Sequence, residues 1–303
     1  MKKFILTADI GGSHITSSVV DFTTLKTIEN TTSTVKVDSH ASAEKIITEW
    51  TSALSESIEK FDGVIEGIAL SMPGPFDYKN GICEITGLGK YENLFGYNIR
   101  LVLFDKYNSF ITDPSKIIFL NDADAFILGA VRMQNYQNEK VIGLTLGTGY
   151  GSGFVENGQL LTEDSRVPEG GLMYCQPFKE GIAEDYISTR WFVKEWEKRE
   201  GKKVKGVKEV SEADNITSKQ LFDEFGNNLS ATLKPWKETF QPTKMVIGGN
   251  ITNVLSKFVK PLKNELNIEE IIAFSHTEKA AMIGAALHYQ KESKIQMKNK
   301  GTL

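Results

Sequence analysis

One pattern constrains this chain more than any other: a short apolar run breaks on a glycine turn and returns as a second run, twice. Residues 4–9 read as a buried strand entering Gly11-Gly12-Ser13, and residues 15–22 as the strand that returns. From Val141 the events repeat: residues 141–146 are a strand, Gly147-Thr148-Gly149 the turn, and residues 151–156 the return. Asn157-Gly158 then supplies a two-residue hairpin signal. In both halves helices and strands alternate afterwards. Residues 31–37 are β-branched and strand-like, and residues 43–61 place Ile46, Ile47, Trp50, Leu54 and Ile58 at helical spacing. Residues 67–72 form a strand that stops at Pro73-Gly74-Pro75, and the strand at 116–120 leads into Asn121-Asp122 and a helix over 123–131. In the second half the pattern predicts helices over 182–199 and 218–236, with a basic loop at 201–208 between them. A strand over 244–247 ends in Gly248-Gly249-Asn250; a helix over 278–289 and an unstructured polar tail over 291–303 follow. The expectation is a duplicated α/β fold of two lobes: 1–120 joined by the helix at 278–290, and 121–277. Its site lies in the interlobe cleft, at the carboxyl ends of the strands.

The length of 303 residues suits two such lobes, and 40% hydrophobic with 24% charged residues is ordinary for a soluble protein. A formal net charge of −4 argues against a nucleic-acid partner. Lys2 and Lys3 precede an apolar stretch, but Asp9 interrupts it before it reaches the length of a signal sequence. No run is long enough to cross a bilayer, so no membrane partner is expected. Cys83 and Cys175 are the only cysteines, too few for a disulfide framework, which fits a cytoplasmic protein.

The turns carry the chemistry. Asp9-Ile10-Gly11-Gly12-Ser13 sets a carboxylate before a turn whose amides can approach a phosphate, and an acid there can hold hydrated Mg²⁺. A hairpin that needs positive φ explains the same residues. Gly147-Thr148-Gly149-Tyr150-Gly151-Ser152-Gly153 repeats glycine at alternate positions, a nest able to cradle nucleotide phosphates, with a bare hairpin tip as the alternative. Gly248-Gly249 would let an adenosine lie against the backbone. Asp122 is the candidate base, with Asn121 offering a donor and an acceptor to sugar hydroxyls. Helix capping by Asp122 or Asp124 accounts for these acids equally well. Pro73 and Gly74 add a rigid wall. None of the loops has a Walker A ending or the dinucleotide-binding spacing.

Taken in order from Asp9 to about Leu287, these motifs resemble the ROK family, the sugar kinases and sugar-responsive regulators of the actin-like ATPase (ribonuclease H-like) superfamily. The resemblance implies an ATP- and Mg²⁺-dependent sugar kinase working as a homodimer, with Asp122 as general base and Asn121 as a sugar ligand. Asp9, Gly11, Gly12, Ser13, Gly147, Thr148, Gly149, Gly248 and Gly249 would hold the nucleotide, Asp9 reaching Mg²⁺ through water. Glu169, in Glu169-Gly170-Gly171-Leu172, and Glu184 match the family's sugar-contacting acids.

One departure stands out. The family's structural zinc site has a His and three Cys, and here Leu172, Cys175, Pro177 and Ile182 occupy those positions, so no zinc is expected. The segment 86–93 also lacks a match to the family's substrate-loop Asn. A glucose-type hexose is the expected acceptor, with an N-acetylhexosamine (N-acetylglucosamine or N-acetylmannosamine) as the alternative. A non-catalytic sugar sensor of the same family is the rival of another class. The family's DNA-binding regulators add an N-terminal helix-turn-helix, which a first strand starting near Phe4 leaves no room for.

Overall fold

The computed structural model describes residues 2–299. The chain divides into two compact units, one of Met1–Gly129 with Glu278–Leu303, the other of Ala130–Thr277.

In the first unit, β1 (Phe4–Ile10), β2 (His14–Asp21), β3 (Ser33–Lys36), β4 (Ile65–Met72) and β5 (Ile117–Asn121) form one sheet, ordered β3-β2-β1-β4-β5. β1 pairs antiparallel with β2 and parallel with β4, and β4 pairs parallel with β5. Burial on both faces explains why β1 and β4 are nearly continuous apolar runs. The register sets Asp9 beside Ser71 and Met72 beside Asn121. The carboxyl ends of β1, β4 and β5 are therefore neighbours, and the loops that leave them start from one edge. Helix α1 (Ala43–Glu59), capped by Ser42, buries Ile46, Trp50, Ala53 and Leu54 in the core. Helix α2 (Ile99–Tyr107), capped by Asn98, adds Ile99, Leu103 and Tyr107.

The second unit repeats the plan. β6 (Lys140–Leu146), β7 (Tyr150–Glu156), β8 (Gln159–Leu160), β9 (Lys244–Gly248) and β10 (Glu270–Ala273) are ordered β8-β7-β6-β9-β10. An antiparallel hairpin is again followed by two parallel neighbours. Asn157 and Gly158 both have positive φ (53° and 68°), the two-residue turn read from the sequence. Helices α4 (Thr189–Glu200), α5 (Val207–Ala213), α6 (Ile216–Phe240) and α7 (Val259–Leu266) enclose an aromatic core. In it Phe192, Phe222, Phe225 and Phe258 stack with ring centroids 4.8–5.0 Å apart.

Several expectations need correction. The boundary lies after Gly129, not at 120, because helix α3 (Asp122–Met133) packs backbone to backbone on α8 (Thr277–Asn299). A Cβ on Gly129 would run into the carbonyl of Ala280, and one on Gly284 into that of Ala125. The interior of the expected tail is helical, since α8 runs on to Asn299; positions 300–303 fall outside the described residues. The helix expected over 182–199 starts only at Thr189, where the Ser188 hydroxyl accepts from Trp191 N–H. Residues before it form a hairpin, with Pro177–Phe178 paired to Gly181–Ile182, and a 3₁₀ turn. The basic loop contains the start of α5.

Candidate active site

At the carboxyl edge of the first sheet, Ser71 Oγ donates to Asp9 Oδ1 at 2.7 Å, while Oδ2 accepts no hydrogen bond from the described residues. Burial pushes the Asp9 carboxyl up to about 7; the Ser71 hydrogen bond opposes this, and the charges of Asp122 and Glu278 add to it. Asp122 opens α3 and is itself held above the usual carboxylate range, by burial first, with the Lys90 ammonium as the largest opposing influence. Part of Asp122 still reaches solvent. Asp124 is pushed up to about 7, by burial and then by the charge of Asp122. Asp9, Asp122 and Asp124 thus form one interacting set of acids.

The capping alternative has a definite answer in the hydrogen bonds. Asn121 Oδ1 accepts from Ala123 N–H at 3.0 Å and from Asp124 N–H at 3.4 Å, so Asn121 is the principal cap. Asp122 Oδ1 shares the Ala123 N–H at 2.9 Å, and its Oδ2 has no partner among the described residues. Asn121 Nδ2 donates to Tyr78 Oη at 3.0 Å, and Tyr78 Oη donates to Met72 O at 3.1 Å. Both ends of the Asn121 amide are therefore engaged. Pro73 and Gly74 follow β4 directly, and a Cβ on Gly74 would sit 3.0 Å from Tyr78 Oη.

Gly11, Gly12 and Ser13 bridge β1 and β2. Neither glycine has positive φ, so hairpin strain does not require them. A Cβ on Gly12 would meet only Lys90 Cδ, at 3.9 Å, which leaves that backbone open to approach. Gly11 N–H donates to His14 O at 2.9 Å and Gly11 O accepts from Tyr91 Oη. His14 Nδ1 lies 3.2 Å from Ser13 Oγ, and His14 Nε2 lies 2.7 Å from Glu278 Oε1.

In the second unit Gly147-Thr148-Gly149 links β6 and β7. Gly147 likewise has neither positive φ nor any neighbour that a Cβ would meet. The loop is braced from residues 184–190. Glu184 Oε2 accepts from Tyr150 N–H at 2.9 Å, and Oε1 from Arg190 Nη2 at 2.5 Å. Thr189 donates to Gly147 O through its N–H at 2.8 Å and its hydroxyl at 2.9 Å. Thr148 is exposed. Gly248 is a buried strand residue, and Gly249 (φ 89°) packs on the backbone of Leu146, so conformation and packing both demand glycine at 249. Glu169 sits on an exposed 3₁₀ turn, and its carboxylate makes no hydrogen bond within the described residues.

The structure thus groups Asp9, Gly11, Gly12, Ser13, Pro73, Gly74, Asn121 and Asp122 at one sheet edge. In the other unit Glu184 bonds to the glycine loop, while the Glu169 carboxylate makes no hydrogen bond to it among the described residues. Sequence reading missed the Ser71–Asp9 hydrogen bond, Tyr78, Lys90, Arg190, and the His14–Glu278 pair. Their only signal was position, Ser71 beside a strand end and Arg190 at the start of α4, six residues after Glu184.

Residues 5–292 match the sequence pattern of the ROK family. The chain belongs to the ROK family. It is similar to a beta-glucoside kinase of Listeria monocytogenes serovar 1/2a, 25% identical over 272 residues that cover 84% of this chain and 87% of that one. An N-acetyl-D-glucosamine kinase of Haemophilus influenzae is 29% identical over 159 residues, 50% of this chain and 46% of that one. Among solved structures, a ROK family glucokinase from Streptomyces griseus in complex with glucose and AMPPNP superposes with a TM-score of 0.71 at 20% identity, over 95% of this chain and 99% of that one. The ROK fold, a duplicated actin-like ATPase architecture, accounts for the two sheets of identical strand order.

The zinc ligands expected of a ROK protein are not met by the residues here. Leu172, Pro177 and Ile182 carry no donor group, and the exposed Cys175 thiol lies 3.9 Å from Leu172 O. Among the described residues no group of three or more His, Cys, Asp or Glu side chains is placed to hold a metal. Mg²⁺ makes a lighter demand, since it keeps most of its waters and needs only one or two carboxylates. The unpartnered Oδ2 of Asp9, beside an open glycine turn, fits that demand.

Proposed function

We propose that this ROK protein is an ATP-dependent sugar kinase, with a glucose-type hexose as acceptor and Asp122 as the catalytic base. The observation that carries the reading is Asp122 itself. Its Oδ2 has no partner among the described residues, its carboxyl is raised by burial and tempered by Lys90, and Asn121 relieves it of the principal capping duty. A carboxylate in that setting is a stronger base than an exposed one and can accept a proton from a nearby hydroxyl.

In the reaction, a sugar hydroxyl gives its proton to Asp122 Oδ2 as its oxygen attacks the γ-phosphorus. The bond from that phosphorus to the β,γ-bridging oxygen breaks, and ADP leaves with the electron pair. Asp9 would hold Mg²⁺ through water, and the bound ion would neutralise charge on the β- and γ-phosphates. The amides of Gly12 and Ser13 in one unit and of Thr148 and Gly149 in the other would bind phosphate, Glu184 and Thr189 keeping the second loop in shape. Catalysis on this reading comes from positioning and charge neutralisation.

The Haemophilus relative favours N-acetylhexosamines as a second acceptor class. Leu172, 39% exposed where the family has its His, gives the sugar site a more apolar wall, which suits an acetamido methyl. ADP release from Mg·ATP across a panel of hexoses and N-acetylhexosamines tests both readings. Turnover with a hexose above all others supports the first, and turnover confined to N-acetylated sugars supports the second. Sugar binding without turnover would make the chain a sensor.

A further inference from the structure

Over the segment where Leu172, Pro177 and Ile182 stand at the family's zinc-ligand positions, the structure has a fastening made of protein groups alone. The hairpin pairs Pro177 with Ile182 and Phe178 with Gly181, leaving Lys179 and Glu180 as its turn. Lys179 has a φ of 52°, a conformation that residues with a side chain seldom adopt. The ammonium lies 5.4 Å from the Phe178 ring centroid and 5.0 Å from that of Tyr186, rings that meet edge to face at 5.4 Å. Its Nζ also donates to Asn228 Oδ1 at 2.7 Å. Asn228 is buried in α6, and its Nδ2 finds no partner among the described residues, so Lys179 supplies its side chain's hydrogen bond there.

The rest of the segment is cross-linked by neutral hydrogen bonds. Gln176 Nε2 donates to Leu172 O at 2.9 Å, Ala183 N–H to Gln176 O at 2.9 Å, and Glu184 N–H to Tyr174 O at 3.0 Å. Ser152 Oγ donates to Gly171 O and accepts from Met173 N–H, at 2.7 and 2.8 Å, fixing the far end to β7. Residues 171–186 are thereby tied to the sheet at Gly171 and Met173 and to α6 at Lys179, with Glu169 just before the segment and Glu184 near its end.

We infer that Lys179 is a positioning residue. Its cation, seated between Phe178 and Tyr186 and bonded to Asn228, does the fastening that zinc does in a ROK site with a full ligand set, and so sets the spacing of Glu169 and Glu184. A cation over two aromatic faces with a buried acceptor behind it can replace a metal cross-link because it joins three separate stretches of chain at one point. The effect on sugar binding rests on the kinase reading proposed above; the fastening itself does not.

The test compares the wild-type chain with Lys179→Met, which keeps the stem and removes the charge, and with Lys179→Arg, which keeps the charge. Hydrogen–deuterium exchange and thermal melting are read with and without prior chelation, alongside metal analysis and the sugar and ATP KM after Mg²⁺ is restored. The expected result is substoichiometric zinc and chelation without effect on wild-type melting. Exchange over 171–186 rises about tenfold in Lys179→Met and returns most of the way in Lys179→Arg. The sugar KM and, through Glu184, the ATP KM each rise several-fold in Lys179→Met with kcat little changed. Stoichiometric zinc, or melting lowered by chelation, would overturn the inference, as would Lys179→Met exchanging like wild type. Absence of turnover in every variant would count against the kinase reading alone, because exchange and melting are read without it.

Discussion

Glu184 accepts a hydrogen bond from the backbone N–H of Tyr150 at 2.9 Å, which fastens the glycine loop of the second unit to the segment that ends in α4. The same carboxylate takes Arg190 on its other oxygen, so neither oxygen is idle. Glu184, expected from the family resemblance to touch the sugar, is bonded here to the loop proposed to hold phosphate.

Glu184→Ala therefore acts on the nucleotide side. Losing a hydrogen bond to a charged acceptor costs about 1.5–3 kcal/mol, which corresponds to a rise of about tenfold or more in the ATP KM. Steady-state kinetics with each substrate varied in turn check this. A rise confined to the sugar KM would contradict it.

Asn121→Ala loses the cap of α3 and the bond to Tyr78 together. Removal of an N-cap costs about 1 kcal/mol, and urea unfolding should show at least that, with the midpoint shifted at unchanged slope. Asn121→Ser, which keeps a capping oxygen, should recover most of it. Equal losses in both variants would place the effect on the Tyr78 contact.

Asp9 gives stability a definite pH dependence. With its carboxyl pushed up to about 7, the folded chain keeps a proton there that the unfolded chain has released above roughly pH 4. The folded state then binds more protons through that window, so stability falls as pH rises from about 4 to 7 and levels off beyond. Asp9→Asn removes this loss. The variant's melting temperature should exceed the wild-type value by a margin that is small near pH 4 and greatest above pH 7, while activity falls. Parallel melting curves across that range would contradict it.

Gly249→Ala must accommodate a Cβ against the backbone of Leu146 at a φ of 89°. Overpacking of this kind costs about 1–3 kcal/mol, and thermal melting should report it whether or not nucleotide is present. A variant that melts like wild type but binds ATP weakly would return Gly249 to a purely adenosine-facing role.

The strands at both glycine turns were legible because apolar runs broken by Gly and Pro leave few other readings, and Asn157-Gly158 marked its hairpin correctly. Helix α2 escaped notice because its apolar residues fall in one short run, Leu101-Val102-Leu103-Phe104 between Arg100 and Asp105, so no helical period shows. Edge strand β10 is short and half-exposed and offers little alternation. The boundary after Gly129 depends on two glycines, 129 and 284, that meet the opposite helix only in space. Asp122 was legible as a candidate by its place at a strand end. That Asn121 would take the cap, and that Lys90 would be the charge opposing burial at Asp122, needed the folded sheet.

The most direct test of the central claim is turnover by Asp122→Asn with Mg·ATP and the best sugar of the panel, read beside sugar binding by calorimetry. Asp122→Asn should lower kcat by about 100-fold or more, with sugar affinity largely kept. A variant that turns over within a few-fold of wild type would show that Asp122 is not the base.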